Sequence, residues 1–156
     1  MKWHPTRKII ACIVLTMSQY ALAQYEEDID LINEIALASK GIQQEFEAHI
    51  TSLDAKEHLL AASFLRTSQN VHDTAQHART ILLLIEVVDP SRIHYATQFF
   101  NADVAMFNSV LTRDVDALRD VAAKTRSDLV RKSSEDLLVQ VIEFQRLMRE
   151  IRGKGK

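Results

Sequence analysis

Cysteine occurs once in the 156 residues, proline twice and glycine three times, and aromatic residues make up only 6%. A single cysteine cannot build a disulfide scaffold. So little glycine and proline excludes collagen-like and disordered chains, and it denies a sandwich or barrel of many short strands the turn residues it needs. What is there is 47% apolar and 26% charged, rich in Ala, Leu, Glu, Asp, Lys and Arg. All of these but Asp are good helix formers, so the expected fold class is all-α, in one compact domain.

The first 23 residues read as an address and not as part of the fold. Lys2, Arg7 and Lys8 precede a short apolar run from Ile9 to Met17, and Ala21-Leu22-Ala23 offers the small-x-small pattern that a signal peptidase cleaves. Residues 1–23 are therefore expected to be a cleaved signal peptide, with a mature chain that starts at Gln24 and resides in the periplasm or outside the cell. The run is much shorter than the roughly 20 residues that span a bilayer. Glu26, Glu27 and Asp28 follow at once, so no stable membrane insertion is expected. Ile9-Ile10-Ala11-Cys12 loosely matches a lipoprotein box, but the apolar run lies after the cysteine and not before it. Cleavage removes Trp3, Cys12 and three positive side chains, which takes the formal charge from −2 to −5. A mature chain without cysteine has no disulfide, thiolate nucleophile, iron–sulfur cluster or covalent haem attachment. Its core alone must hold it.

Residues 24–152 are expected to form an antiparallel helical bundle of three to four long helices. Ile29, Ile32, Ile35, Ile42, Phe46, Ile50 and Leu53 recur at steps of three and four, which predicts a helix over about 27–52 with a local bend at Gly41. Asp54 followed by Glu57 resembles a capping box that starts the next helix. Its face is the most regular in the chain: Ala61, Phe64, Ser68, Val71, Ala75, Ala78, Leu82 and Ile85 alternate steps of three and four. This heptad spacing suits antiparallel packing at about +20°. Asp89-Pro90-Ser91 closes that helix. A third helix carries Ile93, Phe100, Val104, Phe107 and Leu111 on one stripe, with Phe99, Met106 and Val110 beside it. From Ser91 to Arg152 there is neither Gly nor Pro, so the next break rests on cap-type residues. Thr125-Arg126-Ser127-Asp128 is the first choice and Ser133-Ser134-Glu135-Asp136 the second. Leu138, Val141, Ile142, Gln145, Met148 and Ile151 then continue a fourth helix, and 153–156 read as a disordered basic tail.

Residues 24–89 hold twelve acids and four bases, whereas 90–156 hold nine acids and twelve bases. The halves attract one another, as facing pairs of helices would. The basic side chains of the last helix are interspersed with Glu135, Asp136, Glu143 and Glu150, and no aromatic interleaving is available for base stacking. No nucleic-acid partner is expected.

The chain has no G-x-G-x-x-G, Walker loop, H-E-x-x-H or G-x-S-x-G motif. It reads as a non-enzyme without a cofactor. His72 and His77 are five apart, about 140° around a helix, and cannot share an ion. An antiparallel hairpin, however, would bring His49 beside His58, and with Glu45 and Asp54 these make a candidate divalent-metal site for zinc, copper or nickel. His49 falls on the Ile42, Phe46 and Leu53 stripe, so it is the histidine expected to be partly buried. The competing reading is a capped, charge-decorated hairpin end. Non-covalent haem between a histidine and Met106 or Met148 has nothing to mark it beyond the presence of those residues.

One stretch exceeds what a bundle face needs. From Ile81 to Ile85 the chain is apolar on every side of a helix, Val87 and Val88 follow, and Ile93, Tyr95, Phe99 and Phe100 lie across the Pro90 turn. Ile29, Leu31, Ile32, Met148 and Ile151 could close this end as a thick core. Otherwise Leu83, Leu84, Val87, Tyr95, Phe99 and Phe100 form an interaction patch for a protein partner or a homo-oligomer, or the lining of a pocket for a small apolar ligand. The expected role is binding another macromolecule, as adaptor, assembly factor, chaperone-like protein or inhibitor.

Overall fold

The computed structural model describes residues 25–50, 53–88 and 93–154. The leader with its cleavage site, Cys12 and the Asp89-Pro90-Ser91 turn lie outside the described residues. The described residues form four helices: α1 (Glu26–His49), α2 (Ala55–Val87), α3 (Ile93–Lys124) and α4 (Asp128–Lys154). No strand occurs among the described residues.

Cross-links between neighbouring helices fix their directions. Phe46 of α1 packs on Phe64 of α2 with ring centroids 4.7 Å apart. The Ser68 hydroxyl donates to the Ser39 carbonyl at 3.2 Å, and His72 Nδ1 donates to the Ala36 carbonyl at 3.0 Å. Position falls along α1 as it rises along α2, so the pair is antiparallel. His77 of α2 meets Phe107 of α3 edge-on at 5.5 Å, and Gln145 of α4 donates to the Thr112 hydroxyl of α3 at 3.1 Å. α1 and α3 each pack against both α2 and α4, with a slighter α2–α4 contact across the diagonal. The result is an up-down-up-down bundle.

The heptad face of α2 is its core face. Ala61, Phe64, Ser68, Val71, Ala75, Ala78, Leu82 and Ile85 are all buried, together with Phe100, Val104, Phe107 and Leu111 of α3 and Val141, Phe144 and Met148 of α4. The polar member, Ser68, is accommodated because its hydroxyl reaches the Ser39 carbonyl. Ile29, Ile32, Met148 and Ile151 close the core as expected, whereas Leu31 is exposed.

α1 runs through Gly41 without a break. A Cβ built at Gly41 meets nothing within 4 Å, so the position is an exposed helical site that uses no glycine property. Gly41→Ala is expected to stabilise the protein by about 0.5–1 kcal/mol. Thermal melting should show Tm rising by about 2–4 °C. A fall would mean that the glycine serves a purpose at this helix surface.

Half of the expected capping box forms. Asp54 is extended (φ −72°, ψ 169°) and its Oδ1 accepts from the Glu57 amide at 2.9 Å. The hydrogen bond from that amide holds the Asp54 carboxyl below the ordinary range. The reciprocal half does not form, because the Glu57 carboxylate turns instead to the α3–α4 connection, where the Thr125 hydroxyl and the Arg126 amide donate to it. The connection lies at Thr125–Ser127, the first of the two expected sites. At the second, Ser133 and Ser134 are buried within α4, and the Ser134 hydroxyl donates to the Val130 carbonyl at 2.7 Å. Gly153 does not stop α4, which is helical to Lys154.

Candidate functional site

The two sequence-derived candidate sites fare differently. Of the apolar patch, Leu84, Val87, Tyr95 and Phe99 are 56, 78, 64 and 75% exposed, and Leu83 is 37% exposed. Phe100 is a correction: at 1% exposure it belongs to the core. Its place one heptad before Phe107 puts it on the buried stripe of α3, and only Phe99, one position back, turns outward.

The exposed residues form two parallel stripes. On α3, Tyr95, Phe99, Ala102 and Met106 recur at steps of four, three and four, and all are exposed. On α2, His77, Thr80, Leu84 and Val87 recur at steps of three, four and three, again all exposed. The His77–Phe107 contact sets their relative level. Two turns onward along α2 is Leu84, and two turns back along α3 is Phe100, so Leu84 and Phe99 lie at about the same level on adjacent antiparallel helices. Met106, 51% exposed, was missing from the expected patch. Its seven-residue spacing from Phe99 was the available signal. Apart from His94, the α3 segment 93–102 carries no ionisable group other than Tyr95, and 80–85 of α2 carries none.

The second candidate, the Glu45, His49, Asp54 and His58 quartet, does not assemble. All four are exposed, and no three His, Cys, Asp or Glu side chains among the described residues are grouped to hold an ion. His49 is not partly buried. α1 ends at this residue, the chain turns extended at Ile50, and the imidazole folds back to donate from Nδ1 to the Glu45 carbonyl at 2.8 Å. The Asp54 carboxylate is engaged at the α2 N-terminus. The other histidines are structural or solvated: His72 and His77 bridge α2 to its two neighbours, and His94 accepts from Gln98 at 2.9 Å.

Sequence reasoning did not single out Asp114. This carboxyl is buried between α2 and α3, and its Oδ2 has no hydrogen-bond partner among the described residues. It borders a cleft of about 270 Å³ lined by Arg66, Thr67, Asn70, Arg113 and Ala117. Burial raises its pKa, and Arg113, Asn70 and Arg66 oppose that rise only in part. A carboxyl raised in the folded state stabilises the fold only at low pH, and that contribution is lost as pH climbs through the folded value. Asp114→Asn is therefore expected to raise Tm at pH 7 by about 2–4 °C, with the gain shrinking as pH falls toward about 4. A gain independent of pH would locate the effect elsewhere.

A second groove, about 340 Å³, runs between α1 and α4 over Leu31, Ile35, Ala38 and Leu147, with Glu34 and Glu143 among its lining. No helix among the described residues is long and apolar enough to cross a membrane. Comparison with known protein families, with curated proteins and with solved structures finds no match in any of the three.

Proposed function

We propose that this chain is an exported four-helix bundle whose work is to bind another polypeptide, with the exposed apolar face of α2 and α3 as its contact surface. The supporting observation is the paired stripe of Leu84, Val87, Tyr95, Phe99 and Met106. Fully burying a large apolar side chain gains about 1.5–3 kcal/mol, and these half- to three-quarters-exposed residues forgo the larger part of that gain, whereas scattered exposure would need no explanation. Exposure of several large apolar side chains at one level of two neighbouring helices supports a docking surface. Adaptor, assembly factor, chaperone-like protein and inhibitor all use such a face without catalysis.

The test is Phe99→Glu. An exposed position accepts the charge, so the helical spectrum and Tm should hold while capture of a partner from an envelope extract is lost. Unfolding would instead assign Phe99 to the core, since an unpaired buried carboxylate costs several kcal/mol. Export makes its own prediction. Protein recovered from the native envelope should begin at Gln24 by mass spectrometry and lack tryptophan fluorescence, because Trp3 leaves with the leader. Intact Met1 in the soluble fraction would overturn it.

A further inference from the structure

We infer that the cleft over Asp114, between α2 and α3, is a binding site for protonated phosphate, in which Arg66 and Arg113 hold the anion and the Asp114 carboxylate accepts its hydroxyl proton. The site stands apart from the apolar face, fifteen residues along α3 from Phe99, or about four turns.

Helix register assembles the cleft. His77 of α2 meets Phe107 of α3. Seven residues back along α2 is Asn70 and seven onward along α3 is Asp114, so the two fall at one level. The Asn70 side chain accordingly hydrogen-bonds the Asp114 carboxyl. One turn further, Arg66 comes level with Ala117, whose small side chain leaves the space between the helices open. The void of about 270 Å³ is lined by Arg66, Thr67 and Asn70 from α2 and by Arg113, Asp114 and Ala117 from α3. It is smaller than the roughly 300–1,000 Å³ of sites for drug-sized ligands, so only a small solute fits.

Three side chains in this cleft are short of partners. Asp114 is 2% exposed, yet its Oδ2 accepts no hydrogen bond among the described residues. The nearby Thr67 hydroxyl does not serve it, because it donates to the Ser63 carbonyl at 2.9 Å. A buried acceptor left in this state is costly, and a bound donor removes that cost. Arg66 and Arg113 are exposed at the rim. Neither forms an ion pair, since those among the described residues belong to Lys124, Arg131 and Arg146.

The charges select the ligand. A cation would face two guanidiniums. An anion without a proton, such as sulfate, would set an oxygen against the Asp114 carboxylate. An oxyanion that carries an O–H meets both demands: its oxygens pair with the guanidiniums in charge-assisted hydrogen bonds, and its hydroxyl donates to Oδ2. Phosphate keeps such a proton at neutral pH, and sulfate does not. The two guanidiniums also match the double charge of hydrogen phosphate, where bicarbonate brings a single one.

Equilibrium dialysis of the purified protein against radiolabelled inorganic phosphate at about pH 8, with unlabelled sulfate as competitor, tests this. The wild type should bind phosphate with a Kd of about 1 mM or tighter, and sulfate should compete about tenfold less well or worse. Arg66→Gln and Arg113→Gln, at exposed positions, should keep the melting profile while each weakens phosphate by about tenfold. Asp114→Asn removes the repelling carboxylate and supplies an amide donor, so sulfate should then compete as well as phosphate. No binding by the wild type up to about 10 mM phosphate overturns the inference. So does equal competition by sulfate in the wild type, which would reduce the cleft to a general affinity for anions, and so does phosphate binding unchanged in both arginine variants. None of these substitutions touches Leu84 or Phe99, so partner capture by the apolar face is scored independently.

Discussion

Phe64→Ala should destabilise the protein by about 3–5 kcal/mol and lower Tm by about 10 °C or more. Phe64 is fully buried on the core face of α2, tilted at 54° against Phe46 of α1. Truncation removes the transfer free energy of the ring and leaves a cavity. It also ends an aromatic pair that adds about 0.5–1.5 kcal/mol beyond its area. The neighbours are poorly placed to fill the space, because Phe46 is anchored in the last turns of α1 and Ala61 on the same face is small. Phe100→Ala should be similarly costly. Phe99→Ala, one residue away, should change stability by no more than about 0.5 kcal/mol, since its ring already stands in water. Urea unfolding of the three variants checks the ranking. A Phe99→Ala loss as large as that of Phe100→Ala would place the ring in the core and remove the basis of the docking face.

Most of the architecture was legible because helical periodicity reports burial directly. The eight-position heptad of α2 named its buried face residue by residue, and Asp54 announced its own cap. The α3–α4 break was readable from cap-type residues alone, even without glycine or proline. Failures came where a side chain had two partners to choose from. Glu57 has the right spacing to close a capping box on its own helix, and nothing local says that it will reach a turn 68 residues onward instead. His49 has the right phase for burial, but phase carries no information where the helix ends. The metal quartet is not grouped among the described residues, since hairpin spacing alone does not bring side chains to one point. Asp114 stayed hidden because a lone acid on a periodic stripe looks like a solvated flank until the neighbouring helix is placed. Phe99 and Phe100 are adjacent phenylalanines, one surface and one core, separable in the sequence only by extending the heptad from Phe107.

Glu57 should prove the polar side chain on which the far end of the bundle most depends. It is buried at the start of α2, where its carboxylate accepts from the Thr125 hydroxyl and, at 2.8 Å, from the Arg126 amide. Thr125 is buried as well, its hydroxyl also accepts from the Ser127 amide at 3.1 Å, and its carbonyl accepts from Arg131 at 3.1 Å. One carboxylate thus ties the first turn of α2 to the connection between α3 and α4, satisfying groups that have no helical partner of their own. Glu57→Ala leaves the Arg126 amide unpaired and the Thr125 hydroxyl without its acceptor, and Tm should fall by about 5–10 °C. Glu57→Gln, which keeps one acceptor oxygen but loses the charge, should fall less. The pH dependence separates charge from packing. The Thr125 hydroxyl, then the Arg126 amide, hold the Glu57 carboxyl below its ordinary range. A carboxyl lowered in the folded state contributes stability above its unfolded pKa, about 4.3, and loses it as pH falls through the folded value. The wild type should therefore exceed Glu57→Gln at pH 7, and the two melting curves should converge as the buffer is taken below about pH 4. A difference that persists undiminished in acid would mean that the shape of the side chain, and not its ionised hydrogen bonds, holds the three helix ends together.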